Sequence, residues 1–155
     1  MKNIIAYQLL LIAALFFIWS QGPLGNIPTW LADQQLAINC MITSALAGVL
    51  YCLRAIYVNY SANNNWEPQW EVWYYLRPIA SALTGLVAYI FLKASIVVLE
   101  ASRAEDAGNF GYLAFSFIAG YNVDRFLRKI EDLAKSTFGV KKSRSYGREN
   151  NDDGA

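Results

Sequence analysis

Residues 36–58 read LAINCMITSALAGVLYCLRAIYV, 23 residues whose one charge, Arg54, stands near the far end. At about 1.5 Å rise per residue, such a run crosses a bilayer hydrocarbon core of roughly 30 Å with some tilt. Arg54 is placed so that its guanidinium reaches the headgroups while its stem stays in the apolar layer. A membrane-spanning helix is therefore predicted here.

Toward the N-terminus, residues 4–20 form a 17-residue run without a charge, preceded by Lys2. Cleavage of a signal peptide needs small residues near its end, where Phe17, Ile18 and Trp19 stand instead. The run reads as an uncleaved anchor with Trp19 at the interface. Between the two runs, Gly22, Pro23, Gly25, Pro28 and Asp33, with no Lys or Arg, mark a non-cytoplasmic loop. Toward the C-terminus, a third span is predicted over residues 78–99. It opens on Arg77-Pro78, with proline at the favoured first helical position. Residues 110–123 are 14 apolar or small residues, about 21 Å of helix. They cross a bilayer if the helix continues through Phe126 and Leu127, so the fourth span is placed at 110–127.

Charge orients these runs. With the N-terminus inside, eleven of the 13 Lys and Arg fall on the cytoplasmic side, eight of them from Arg125 onward. Lys93 and Arg103 are the two that fall outside. That distribution follows the positive-inside rule with both termini cytoplasmic. The expected fold is all-α: a polytopic bundle of about four transmembrane helices, followed by a C-terminal amphipathic helix over 123–139 and a disordered tail over 140–155.

Composition agrees. Of 155 residues, 55% are hydrophobic and 16% charged, against about 25% charged in a soluble domain. The net charge of +1 gives no general attraction to polyanions, so sequence-specific nucleic-acid binding is not expected. Histidine, the usual general base and the commonest metal ligand, is absent from the sequence. No glycine-rich phosphate loop or convergent acidic set is visible, so neither catalysis nor a cofactor or metal is expected. Cys40 and Cys52, twelve residues apart on one helix, lie roughly 18 Å apart and cannot pair with each other. They read as buried, inert thiols.

Four features carry what functional signal there is. Ser44 and Gly48, Ser81 and Gly85, and Ser116 and Gly120 form one small-xxx-small pair in each of the last three runs, a helix-packing seam. One such seam would pack the monomer while another closes a homo-oligomer. Trp66, Trp70 and Trp73, at i, i+4, i+7, would share a face of a short interfacial helix, as membrane anchors or as a docking surface. Lys93, the formal charge inside the third span, either snorkels outward, with Glu100 as a partner, or serves as a pore or gating residue.

The fourth feature follows the last span. Val123, Phe126, Leu127, Ile130, Leu133, Ala134 and Phe138 recur at helical spacing, opposite Asp124, Arg125, Arg128, Lys129, Glu131, Asp132 and Lys135. Asn122 is the expected N-cap and Gly139 the expected stop. Lys141, Lys142, Arg144 and Arg148 lie in the tail beyond, which reads as a retention and solubility segment.

Residues 76–79 (LRPI), Gly85 and Tyr89, then 117–122 (FIAGYN) and Phe126, look like a helical hairpin of small bacterial membrane proteins. Over roughly residues 74–127 the chain resembles the transmembrane effectors of antiphage loci, including those beside retron reverse transcriptases. The resemblance implies a bacterial inner-membrane protein, held quiet until infection, that then permeabilises the membrane and causes abortive infection. Its partners would be the lipid bilayer, further copies of itself and a cytosolic regulator such as a reverse transcriptase complex. Two other classes remain open from the residues themselves: a membrane anchor or accessory subunit for a partner protein, and a small channel or holin.

Overall fold

The computed structural model describes residues 2–21, 33–62, 68–94 and 108–138, and every regular element among them is helical. In chain order these are α1 (Lys2–Gln21), α2 (Gln35–Ile56), a π-helical extension of α2 (Tyr57–Ala62), a 3-10 turn (Pro68–Trp70), α3 (Glu71–Lys93), α4 (Gly108–Tyr121) and α5 (Val123–Phe138). Three helical stretches, Lys2–Gln21, Gln35–Tyr60 and Glu71–Lys93, are long and apolar enough to cross a membrane. The chain divides into two units, Met1–Val123 and Asp124–Ala155.

In the first unit, helices α2, α3 and α4 pack on one another, and α1 lies mainly against α2 with a smaller contact on α3. Four long-range hydrogen bonds fix their directions. Gln8 and Cys52 both donate to the Tyr74 carbonyl, and Arg54 and Arg77 both donate to Tyr121. The start of α1, the end of α2, the start of α3 and the end of α4 therefore meet at one end, in an up-down-up-down arrangement. That end holds the apolar cluster of Ile4, Cys52, Ile56 and Tyr74. A second cluster of Ala37, Cys40 and Tyr89, with Tyr112 and Leu113 against it, closes the other end.

The remaining faces are apolar and exposed. On α3, Val72, Leu76, Ile79, Leu83 and Ile90 form one such stripe, and α1 exposes Leu9, Leu10, Phe16, Phe17, Ile18 and Trp19. In water these stripes would be an aggregation hazard; in lipid they face a solvent as apolar as themselves.

Three boundaries differ from the sequence reading. The third helix begins at Glu71 rather than 78, so Pro78 lies inside it, and it ends at Lys93, with Ala94 in a turn. Nothing in Val72 to Arg77 breaks a helix, and the hydrogen bond that Pro78 forfeits is replaced from α1, as described below. Among the described residues, Trp70 closes the 3-10 turn and Trp73 sits in the first turn of α3, so these two belong to the start of α3, while Trp66 lies outside the described residues.

The fourth helix stops at Tyr121 instead of continuing through Phe126 and Leu127. The chain turns at Asn122, whose backbone N–H and side-chain amide both donate to the Ile118 carbonyl, at 3.1 and 3.2 Å. The predicted N-cap residue thus also closes the helix behind it. At 14 residues, about 21 Å, α4 is shorter than a bilayer core.

In the second unit, α5 presents the expected segregation of apolar from charged residues, with Leu127 and Leu133 exposed. Gly139 and the tail over 140–155 lie outside the described residues, as do Glu100 and most of the loop after α1.

Candidate functional site

The six seam residues come together in one place. A β-carbon on Gly48 would collide with the Ser81 side chain, and one on Gly85 with the Ser44 side chain and the Cys40 carbonyl. On Gly120 it would strike Ser44, side chain and backbone alike. Each glycine thus receives a serine of a neighbouring helix, which lets the backbones of α2, α3 and α4 approach closely. Ser44, Ser81 and Ser116 are fully buried. Their hydroxyls donate across the seam: Ser44 to the Ser81 carbonyl, Ser81 to the Gly120 carbonyl at 2.9 Å, and Ser116 to the Gly85 carbonyl at 3.5 Å. All three predicted pairs are buried in this intramolecular contact, so none is left on the outer surface to form a second seam for an oligomer.

At the end marked by Arg54 lies a group the sequence reading had treated only as flanking charge. Arg77 is 1% exposed. Its guanidinium carbon stands 4.3 Å from the centroid of the Tyr51 ring and 5.2 Å from that of Trp73. One terminal nitrogen donates to the Tyr121 carbonyl at 3.2 Å. Tyr51 and Tyr121 meet edge to face at 5.7 Å, and Arg54 donates to the Tyr121 hydroxyl at 2.9 Å. A cation in an aromatic cage of this kind is attracted to the ring faces, more strongly where water is excluded. The signal in the sequence was an arginine at the mouth of an apolar run with Trp73, Tyr74 and Tyr75 before it.

Gln8 is the other residue missed. It is a polar side chain in an otherwise apolar helix, and it is completely buried. Pro78 has no N–H to give to Tyr74, its partner four residues back. The Gln8 amide donates to that carbonyl at 2.7 Å instead, and the Cys52 thiol approaches it at 3.8 Å. The neighbouring Tyr75 carbonyl accepts the Tyr7 hydroxyl at 3.4 Å, and the two tyrosine rings stand 5.0 Å apart.

Lys93 is the last residue of α3 and is exposed. Its ammonium donates to the Tyr89 hydroxyl at 3.0 Å and lies 5.5 Å from that ring's centroid. Trp70 and Trp73 are exposed at the other end of the same helix. Cys40 and Cys52 are free and buried. Among the described residues, no group of three or more acidic or cysteine side chains is placed to hold a metal.

No family model matches the chain, and no curated protein or solved structure matches it.

Proposed function

We propose that this chain is a multi-pass protein of a bacterial inner membrane, both ends cytoplasmic, that permeabilises the bilayer when triggered, as an effector of antiphage abortive infection does. The observation that carries this reading is α5. Arg125, Arg128, Lys129 and Lys135 lie on one face of a short helix whose other face bears Phe126, Leu127, Ile130 and Leu133. Asp124, Glu131 and Asp132 share the charged face, and a helix of this two-faced pattern lies in the headgroup plane with its apolar face at the acyl boundary. The orientation has its own support, since Lys2, Arg54 and Arg77 belong to the end of the bundle from which the chain passes, after Tyr121, into the basic C-terminal residues. The trigger, whether a cytosolic regulator or a second copy, acts by binding one arrangement of the protein more tightly than the other.

The test is membrane potential, read with a voltage-sensitive dye in cells expressing the chain alone and during phage infection with its native neighbouring genes. Depolarisation that is lost in the Leu127→Glu, Leu133→Glu double variant supports the proposal. An unchanged potential under both conditions overturns it.

A second reading is favoured by the seam. Its serine hydroxyls are turned onto backbone carbonyls, which suits a closed anchor better than a conducting path. On this reading the bundle holds a partner at the membrane, and a stoichiometric partner that co-purifies while the potential stays intact would select it.

A further inference from the structure

Two departures from regular helix meet at Tyr74. Pro78 deprives its carbonyl of the intrahelical donor. Residues Tyr57–Ala62 form a π-helical turn, and Asn59 in that turn donates to the Tyr74 hydroxyl at 3.3 Å. The Tyr74 carbonyl is taken up by Gln8 from α1 and by Cys52 from α2. Proline inside a helix and π-helical turns are both among the identifiable causes of sharp bends, and π-helical turns are frequent at functional sites.

The helix that fills this notch is weakly held elsewhere. Ile4 and Gln8 are the two buried residues of α1, and both lie in its first two turns. From Leu9 onward its large side chains at Leu10, Phe16, Phe17, Ile18 and Trp19 face outward. The docked state is also not fully satisfied, because the Gln8 side-chain oxygen is buried without a hydrogen-bond partner. In the bilayer α1 can leave the notch without exposing apolar surface to water, since lipid replaces the lost contacts.

We infer that α1 is a releasable latch on the Pro78 hinge of α3, held by Gln8 on the Tyr74 carbonyl and by Tyr7 on the Tyr75 carbonyl. Undocking removes the Gln8 amide that substitutes for the missing proline N–H, leaves the Tyr74 carbonyl the longer Cys52 contact, and frees the first two turns of α3, which carry Trp73 and the caged Arg77, to swing about Pro78. The device is independent of what the protein does to the bilayer.

The native cysteines report it. Cys52 shares the Tyr74 carbonyl with Gln8 and is buried in the cluster that holds Ile4 of α1, whereas Cys40 is buried in the cluster at the opposite end. In membranes carrying the full chain, modification by a membrane-permeant maleimide is followed for each cysteine by peptide mass spectrometry. Gln8→Leu should raise the rate at Cys52 by about fivefold, the population shift expected from loss of one hydrogen bond, and leave Cys40 unchanged. Pro78→Ala returns an N–H to the Tyr74 carbonyl, so the same Gln8→Leu change made in that background should have little effect. Tyr7→Phe, which removes one hydroxyl and keeps the ring, should give a smaller rise at Cys52 and carries the test if Gln8→Leu does not accumulate. Equal rises at both cysteines, no rise at Cys52, or an undiminished Gln8→Leu effect beside Pro78→Ala would each overturn the latch.

Discussion

The Gln8 side-chain amide donates to the Tyr74 carbonyl at 2.7 Å, across 66 residues of chain, where the proline at 78 leaves that carbonyl without its helical partner. A polar residue in an apolar span and a proline in the middle of another look like two separate liabilities. Together they offset each other in part, because both are buried away from solvent and the amide N–H meets the carbonyl that Pro78 cannot serve. The same logic runs through the seam, where every buried serine hydroxyl finds a carbonyl of an adjacent helix.

Alanine at the three seam glycines should be tolerated unequally. On Gly85 and Gly120 the new β-carbon meets backbone, the Cys40 carbonyl at 2.7 Å and the Ser44 carbonyl at 2.5 Å, which cannot rotate away. On Gly48 the closest backbone atom is the Pro78 α-carbon at 3.2 Å, and the remaining conflict is with the Ser81 side chain. Gly85→Ala and Gly120→Ala are expected to cost about 1–3 kcal/mol each, as overpacked cores do, and Gly48→Ala the least of the three. Reversible unfolding by SDS in mixed micelles measures the order.

Ser44→Gly should partly rescue Gly85→Ala. Ser44→Gly alone removes the hydroxyl bonded to the Ser81 carbonyl and leaves a void, and Gly85→Ala alone collides with Ser44. Combined, the two changes remove the conflict with Ser44 and leave the close approach to the Cys40 carbonyl, so the rescue is partial. A favourable coupling of at least about 1 kcal/mol is expected in a double-mutant cycle of the same unfolding measurement. Additive losses would mean that the two positions do not share the contact.

Arg77→Lys should behave as a disruptive change despite keeping the charge. A lysine cannot lay a planar group against Tyr51 and Trp73 while donating to the Tyr121 carbonyl. A loss of about 1–2 kcal/mol is expected, and Tyr51→Leu should remove much of the difference between arginine and lysine. Micelle unfolding of the four proteins checks this.

Lys93→Gln should matter little. The ammonium is exposed at the end of α3 and bonds to Tyr89 one turn back. Stability is expected to stay within about 0.5 kcal/mol of the parent, and any depolarisation should be unaltered. A large change in depolarisation with stability intact would assign Lys93 to a conducting path.

The sequence by itself determined the helical class, three helices long and apolar enough to span, and the small-xxx-small pairs, because each is a property of spacing within one segment; the fourth predicted span stops at Tyr121, short of a bilayer core. Hydrophobic runs and periodicities are local, and lipid rewards them wherever their neighbours lie. Its errors were local too: a proline was read as a helix start at Pro78, although a donor 66 residues away allows it in mid-helix. Tertiary structure alone decided that three serine–glycine pairs share one seam, that Arg77 sits between Tyr51 and Trp73, and that Gln8 answers Pro78. Each is a match between polar or small groups on different helices, and such matches depend on the rotation and depth of the helices. No spacing within a single helix encodes those.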